Sequence, residues 1–406
     1  MSARAPLSRV EFIALLAMLF ATVAFSIDSM LPALPQIAAE LSPDNLNKAQ
    51  LILTSFVLGM GLGTFFTGPL SDTFGRKPVI LAGAALYIVG AAMAFSAQGL
   101  EMILVARFVQ GLGAAGPRIV GMAIVRDLYS GREMARIMSF VMMVFTLVPA
   151  VAPLLGSAVI AVAGWRGIFI SFIGFAILST GWLGLRQPES LPPEARRPLR
   201  LSLMWDGVKE MFSHHTVRLA ILAQTLCFSL LFMSISVIQP VFDTVFGRAD
   251  SFAYWFAAIA LVSGSASLLN AALVMRFGMR KLASVALGAQ VVLSTLMTLI
   301  WLSGFFGTDG MFFVFVAWQT TVFFQTGLTL GNLNAITMEP MGHIAGMAAS
   351  VSGAVATVFG AALAIPVGLA FDGTPLPLSL GIGAASAVAF ATMLWMKRVE
   401  RIYGRD

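Results

Sequence analysis

The sequence predicts an all-α polytopic membrane protein with twelve transmembrane helices. Of its 406 residues, 58% are hydrophobic and only 11% are charged, whereas about 25% of an average soluble domain is charged. Apolar stretches long enough to cross about 30 Å of hydrocarbon, at about 20 residues each, recur along the whole chain. A single long polar connection divides these stretches into two sets of six, which predicts two pseudo-symmetric six-helix bundles.

The predicted helices lie between breaks marked by charged residues, glycines and prolines. They are placed near 10–35, 50–70, 78–97, 101–125, 137–162 and 167–185 in the first set, and near 217–240, 252–275, 282–304, 311–335, 347–370 and 378–396 in the second. The polar connection contains ESLPPEARRP. We therefore predict an N-terminal bundle over 1–185, a cytoplasmic linker over 186–216 and a C-terminal bundle over 217–406.

The distribution of basic residues predicts the orientation of the chain. Of the 25 Lys and Arg residues, twenty fall on the side of the termini and three, Lys48, Arg166 and Arg248, on the other, while Arg107 and Arg118 lie within a span. This bias places both termini in the cytoplasm. The net charge of +6 does not indicate nucleic acid binding, because the basic residues sit in short loops between apolar runs.

The N-terminal apolar run, residues 10–27, has a second interpretation as a secretory signal peptide, since Arg4 and Arg9 precede it. The run continues past Asp28 into LPALP without a small-residue cleavage site. We therefore expect it to be the first retained span.

Catalytic and metal chemistry are not expected. Cys227 is the single cysteine and lies in an apolar run, so the chain builds neither a disulfide framework nor a thiolate metal site. There is no HExxH motif, and His214, His215 and His343 fall in predicted loops. We expect no enzyme activity, no cofactor and no metal site. A membrane-embedded sensor is an alternative, although the sequence has no soluble output domain.

The loop after the second predicted span reads GPLSDTFGRK, residues 68–77. Gly68 and Gly75 are expected to allow a tight turn, with Asp72 and Arg76 making charge contacts that hold the two halves together. An ordinary positive-inside loop is the alternative interpretation. FGMRK, at 277–281, follows the eighth span in the corresponding place, which indicates that the two halves are related.

Several motifs carry a family resemblance. GPLSDTFGRK resembles the loop signature of the major facilitator superfamily, and RFVQGLGAAG, at 107–116, resembles its arginine-containing fourth-helix motif. LVPAVAPLLGS, at 147–157, is similar to the proline and glycine motif of proton-driven exporters, although Ala152 and Ser157 replace expected glycines. With DSMLPALP and EPMGHIAGMAAS, these motifs resemble the bicyclomycin and chloramphenicol resistance subfamily of drug and proton antiporters over nearly the full chain.

This resemblance implies the major facilitator fold in a bacterial inner membrane. It also implies proton-coupled secondary active transport that exports small amphipathic compounds or drugs by alternating access, with protons as the coupling ion. We expect the protein to act as a monomer. The residues assigned to gating are Gly68, Asp72, Gly75, Arg76, Pro149, Pro153 and Gly156.

One motif is misleading. GLGAAG, at 111–116, satisfies the GxGxxG dinucleotide-binding pattern, but that fingerprint requires a strand before it and a helix after it. Because the motif lies inside an apolar span, we interpret its small residues as close helix packing.

Three charged residues are expected inside the membrane: Asp28, Arg107 and Arg118. An ionised carboxylate in hydrocarbon costs at least about 2.5 kcal/mol on insertion scales, so Asp28 must face a cavity or take up a proton. At about 1.5 Å per residue, Asp28 and Arg107 reach similar depths, while Arg118 lies closer to the cytoplasmic end. We interpret Asp28 and Arg107 as the proton-coupling pair. The alternatives are an interfacial Asp28 and a structural Arg107 that binds backbone carbonyls.

Substrate contacts are predicted on two spans. Trp318, Gln325 and Asn332 form part of one stripe on the tenth span, and the seventh offers Gln224, Phe228 and Phe232. In the superfamily the first, fourth, seventh and tenth spans line the cavity. Simple interhelical packing is the alternative for each residue. Arg118 is a further substrate-binding candidate, and it motivates an alternative function, a dedicated transporter of one small metabolite that would be anionic.

Overall fold

A computed structural model of the chain describes residues 7–199 and 201–403. Every regular element in these two ranges is helical. Arg4, Arg200 and Arg405, which the orientation prediction counts among the cytoplasmic basic residues, lie outside the described residues, as do the outermost ends of the two predicted bundles.

Thirteen α-helices occur in the described part of the chain. They are α1 (Arg9–Asp28), α2 (Leu34–Leu41), α3 (Leu51–Phe74), α4 (Arg76–Phe95), α5 (Leu100–Leu128), α6 (Gly131–Arg186), α7 (Leu201–Ser213), α8 (His215–Pro240), α9 (Phe252–Phe277), α10 (Met279–Ser303), α11 (Thr308–Met338), α12 (Ala345–Leu369) and α13 (Leu376–Tyr403). Short 3₁₀ turns lie at Leu31–Ala33, Leu46–Gln50, Pro193–Ala195, Ala249–Ser251 and Gly342–Ile344, and a π turn lies at Val241–Val245.

The described chain contains eleven continuous helical runs long and apolar enough to cross a membrane. One of them, α6, is 56 residues long and consists of two helices joined at Gly164, where φ is +66°. Glycine is favoured at such a positive φ because it has no Cβ. Counting α6 as two spans gives the twelve that the sequence predicts, with the break inside the predicted interval of 163–166.

The first span is longer than predicted. The helical run continues from α1 through the 3₁₀ turn and α2 to Leu41, giving 33 residues in total. LPALP does not end the run, because its prolines lie in the first turns of the short helices. Proline lacks the backbone N–H, but in the first turn of a helix this N–H has no carbonyl partner within the helix. Asp28 therefore lies within the run and not at its end.

Backbone packing divides the chain into two units. Unit 1 comprises Met1–Ile37 and Ser55–Arg200, and unit 2 comprises Ala38–Thr54 and Leu201–Asp406. The short segment before Ser55 joins unit 2 through direct contacts: Asn47 Nδ2 donates to the carbonyl oxygens of Leu369, at 3.1 Å, and Phe371, at 2.7 Å.

The interior of unit 1 is an apolar cluster built around α1. Its buried members are Phe12, Leu15, Leu16, Leu19, Phe20, Ile80, Val120, Ile124, Val125, Ile137, Val141 and Leu183. Beside this cluster, α5 packs closely on α3 and α4 through glycines. A Cβ on Gly111 would overlap the backbone of Phe56, and a Cβ on Gly113 would lie 2.5 Å from the amide nitrogen of Tyr87. The GLGAAG motif is therefore a helix-packing surface, which confirms that interpretation.

Unit 2 is organised around α8, which packs against α11, α12 and α13. Aromatic side chains fill the end of this unit where α8 passes into the π turn: Phe242 has edge-on contacts with Phe252 and Phe312, at centroid distances of 5.4 and 5.3 Å. In the same unit, α10 packs on α13 and α11.

The FGRK and FGMRK segments occupy corresponding places in the two units. Gly75 precedes α4 with φ of +103°, and Gly278 precedes α10 with φ of +79°. Each glycine therefore forms the tight turn between the second and third spans of its half. Gly68, in contrast, lies inside α3, so the prediction that it helps to form this turn is wrong.

Candidate transport and gating sites

Asp28 is the last residue of α1 and is buried in unit 1, with 5% of its surface exposed. Its carboxyl group makes no hydrogen bond or ion pair with another residue in the described ranges. The neighbouring hydroxyl groups do have partners: Ser26 Oγ contacts Tyr87 Oη at 2.5 Å, and Ser29 Oγ donates to Phe25 O at 2.5 Å. A buried carboxyl group without a partner is unusual, because buried carboxylates are normally paired or hydrogen-bonded.

Arg107 lies at the level of Asp28, as the depth arithmetic predicts. It is fully buried in α5, where Nη2 donates to Ser26 O at 2.9 Å and Nη1 to Gln110 Oε1 at 2.7 Å. Its guanidinium also lies 4.3 Å from the centre of the Phe56 ring. The bond to Ser26 O is a contact with a backbone carbonyl of a neighbouring helix, which is the structural alternative considered for this residue.

The proline and glycine motif of α6 meets α1 next to Asp28. A Cβ on Gly156 would overlap the backbone of Ser29, so only glycine permits this approach. Pro149 and Pro153 lie inside the same helix and cannot donate backbone hydrogen bonds. The structure thus brings the predicted gating residue Gly156 and the predicted proton-coupling residues Asp28 and Arg107 together in unit 1.

Arg118 has a different environment from Arg107, although eleven residues place the two on similar helix faces. Arg118 is exposed on the surface of unit 1, whereas Arg107 is fully buried. The Arg118 guanidinium lies 5.8 Å from the centre of the Phe145 ring. Within the described ranges Arg118 forms no hydrogen bond or ion pair, which leaves its donors available.

The predicted gating loop of unit 1, residues 68–77, contains a buried arginine. Arg76, in the first turn of α4, donates from Nε to Asp127 Oδ2 at 2.8 Å and from Nη1 to Ser71 Oγ at 2.8 Å, and it also pairs with Asp72. Arg76 is almost fully buried, so its charge is compensated by Asp72 and Asp127 together. Asp127, at the end of α5, was not a candidate from the sequence.

The segment after α6 completes this cluster. Glu189 accepts hydrogen bonds from the backbone nitrogens of Arg76, at 2.9 Å, and Lys77, at 3.0 Å, so its carboxylate caps the start of α4. Arg197 N donates to Asp72 O at 3.0 Å. Sequence analysis missed Glu189 because it is 113 positions from Arg76.

Unit 2 repeats this arrangement with different acids. Arg280, in the first turn of α10, donates from Nε to Glu400 Oε1 at 2.7 Å and from Nη2 to Glu339 Oε2 at 2.8 Å. Glu339 directly follows the tenth span, and Asp127 lies at the end of the fourth span, so these two acids have corresponding positions. Glu400 lies in the last helix of unit 2, and Glu189 follows the last span of unit 1. The position of Arg280 in FGMRK was the one signal in the sequence for this second cluster.

The predicted substrate stripe on α11 is buried within unit 2. Trp318 Nε1 donates to Ser294 Oγ on α10 at 3.2 Å, and Asn332 Nδ2 donates to Asn270 Oδ1 on α9 at 2.7 Å. These contacts are the interhelical packing alternative. Gln325 Nε2 contacts Thr329 Oγ1 at 2.8 Å, but Gln325 Oε1 is buried without a hydrogen-bond partner among the described residues.

The other candidates lie on α8, which packs against α11 and α12. Gln325 Nε2 lies 3.6 Å from Cys227 Sγ, which brings α11 beside the α8 positions. The rings of Phe228 and Phe232 are stacked, with centroids 5.6 Å apart. Gln224 is buried, and its Oε1 has no hydrogen-bond partner in the part of the chain that the structure describes. A buried amide oxygen without a donor is costly, so Gln224 and Gln325 are the two candidates with unused polar capacity.

A family model described as Major Facilitator Superfamily matches residues 14–367. The chain belongs to the major facilitator superfamily. The match spans most of both units and includes Arg76 and Arg280, so the superfamily fold predicted from the loop motif is confirmed.

Relatives in this superfamily include proteins named for drug resistance. The chain is 29% identical to a bicyclomycin resistance protein homolog of Haemophilus influenzae, over 93% of this chain and 94% of that protein. It is 34% identical to the multidrug resistance protein MdtL of Escherichia coli, over 42% of this chain and 44% of that protein.

Solved structures agree with the superfamily fold. A D-xylose-proton symporter superposes with a TM-score of 0.76 at 14% identity, covering 95% of this chain and 97% of that one. The human organic anion transporter MFSD10 superposes with a TM-score of 0.61 at 18% identity, covering 96% and 99%. Because the identities are low, these likenesses concern the fold alone. The protein is thus a multi-pass membrane transporter of small molecules, a superfamily member and not an enzyme.

Proposed function

We propose that this transporter exports small amphipathic compounds, including drugs, in exchange for protons. The observation that carries the proposal is the buried, partnerless carboxyl group of Asp28 in the first span of a superfamily member whose relatives include drug-resistance proteins. An isolated carboxyl group at membrane depth has a physical reason to bind a proton and to release it when its surroundings change.

Asp28 is the proposed proton carrier and Arg107 its modulator. Arg107 reaches Ser26 O, two positions before Asp28 in α1, so a small movement of α1 against α5 changes the distance between the two charges. Gly156 packs on Ser29, immediately after Asp28, and therefore couples the same part of α1 to α6. Movement at these contacts is the proposed link between protonation and alternating access.

The proposed substrate contacts combine aromatic surfaces with a few polar groups. The stacked rings of Phe228 and Phe232 offer apolar area, and the amide oxygens of Gln224 and Gln325 offer acceptors. Trp318 and Asn332 complete the proposed set from α11. Surfaces of this kind suit several amphipathic ligands better than one rigid polar substrate. Arg118 supplies a donor for an electron-rich group.

The gating residues are proposed to stabilise one state of the transport cycle. Asp72 and Arg76 form part of a compact charged cluster at the end of unit 1, with Gly75 at its turn. Pro149 and Pro153 leave two backbone positions in α6 without donors, which locally weakens the helix where it must bend. Transporters built from two related halves alternate access by rocking of these halves, and we propose that the gating residues are sites about which this movement occurs.

We further propose that the protein lies in a bacterial inner membrane with both termini in the cytoplasm, and that it acts as a monomer. The excess of basic residues on the side of the termini supports the orientation.

The test is transport by the purified protein in proteoliposomes with an imposed pH gradient. We expect several chemically unrelated amphipathic compounds to move against the direction of proton flow. Accumulation that ignores the pH gradient would refute proton coupling. Transport of a single anionic compound, and of none of the others, would instead support the dedicated metabolite transporter.

A further inference from the structure

The helix α7, residues Leu201–Ser213, has no place in the transport mechanism, and its surface is divided into three sectors. Taking about 100° per residue, Trp205, Lys209 and Phe212 fall within an arc of about 60°. Trp205 is 60% exposed and Phe212 is 38% exposed. Asp206 and Glu210 form a separate exposed acidic sector.

The third sector packs on other helices of unit 2. Met211 is fully buried, and a Cβ on Gly207 would overlap the methyl group of Met347, in the first turn of α12. A single residue, His214, separates α7 from α8. Because α7 contacts the first turn of one membrane-length helix and directly precedes another, it lies at the level where these spans begin.

We propose that the sector formed by Trp205, Lys209 and Phe212 is a lipid-binding surface that rests in the headgroup layer of the bilayer. Tryptophan favours the membrane interface because its ring is apolar and its N–H finds water or headgroups. A lysine between two aromatic residues extends its ammonium toward lipid phosphate while its alkyl stem covers apolar surface. An amphipathic helix with this arrangement lies in the plane of the interface.

The charges around α7 agree with this orientation. Lys209 Nζ lies 5.8 Å from the centre of the Trp205 ring and 3.9 Å from Asp206 Oδ1, so its ammonium lies between the aromatic and acidic sectors. Glu210 is paired with His343 Nε2 at 2.7 Å, which directs one acid toward the protein and away from lipid phosphate. Arg218, in the first turn of α8, is exposed at the same level and adds a second cation.

Spin labels attached to single cysteines in a Cys227→Ala background test the proposal in phospholipid bilayers. Labels replace Trp205 and Phe212 in the aromatic sector and Asp206 and Glu210 in the acidic sector. Collision with oxygen reports contact with lipid, and collision with a water-soluble nickel chelate reports contact with water. We expect positions 205 and 212 to favour oxygen and to be several-fold less accessible to the chelate than position 206.

Equal access of the chelate to all four positions would overturn the proposal, because α7 would then stand in water. Protection of positions 205 and 212 from both reagents would also overturn it, since a second protein copy would cover the sector. If Trp205→Cys fails to insert, Phe212→Cys samples the same sector. None of these outcomes depends on whether the protein exports drugs.

Discussion

Replacing Arg118 with alanine should weaken the binding of anionic ligands far more than that of lipophilic cations. Arg118 makes no hydrogen bond or ion pair in the described structure, so the substitution breaks no polar contact within unit 1. The internal interaction that is lost is the one with Phe145, 5.8 Å from the guanidinium. A cation–π contact at an exposed site contributes about 0.5–1 kcal/mol, which limits its effect on any ligand to about fivefold.

A ligand that accepts a charge-assisted hydrogen bond from Arg118 should lose more. Removing such a bond costs about 1.5–3 kcal/mol, which corresponds to roughly ten- to a hundredfold in affinity. The two magnitudes differ enough to separate a substrate contact from a structural one. Arg118→Lys should recover part of the loss, because it keeps the charge but not the planar pair of donors.

The assay measures the affinity of the purified protein for a matched set of anionic, neutral and cationic ligands that share one apolar scaffold. Arg136→Ala is the control, since Arg136 is an exposed arginine on α6 without a described partner. We expect the control to leave all three affinities unchanged. Equal losses across the set for Arg118→Ala would remove Arg118 from the substrate site.

Three further predictions follow from the coupling and gating sites. Asp28→Asn should abolish transport driven by a pH gradient while leaving insertion and ligand binding intact, and normal gradient-driven flux would contradict the assignment. Asp72→Asn should change the accessibility of the transport pathway more than ligand affinity, measured by cysteine labelling from each side in a Cys227→Ala background; an unchanged pattern would count against the gating role. Glu189→Gln, which loses one of two acceptors for the start of α4, should lower transport rate and shift labelling in the same direction as Asp72→Asn, whereas Glu194→Gln, in an exposed part of the same segment, should do neither.

The fold could be predicted because its determinants are local. Span length depends on continuous apolar composition, and the turn at Gly75 depends on a positive φ that glycine favours. The first span was misjudged for the same reason: a local reading treats LPALP as a break, but its prolines fit the first turns of consecutive short helices. The position of Asp28 inside a longer run was therefore not evident.

The site was less predictable because its contacts join distant positions. Depth along a helix follows from residue number, and it correctly placed Arg107 near Asp28. Which way each arginine points depends on neighbouring helices, so the burial of Arg107 and the exposure of Arg118 did not follow from their spacing. The acids around Arg76 were missed because Asp127 and Glu189 come from other helix ends.

The two units share a framework but differ in where charge enters the membrane. Both have an arginine after the glycine turn, held by acids at corresponding helix ends. The acids and bases placed deep in described spans, Asp28, Arg107 and Arg118, all belong to unit 1, while the candidate contacts in unit 2 are amides and aromatic rings. Since each desolvated charge is expensive, confining the buried charges of Asp28 and Arg107 to one unit would let the proposed proton binding act on α1, α5 and α6, while unit 2 would offer the proposed ligands a neutral surface. A second buried acid in unit 2 would add that cost again without being needed for a single coupling site.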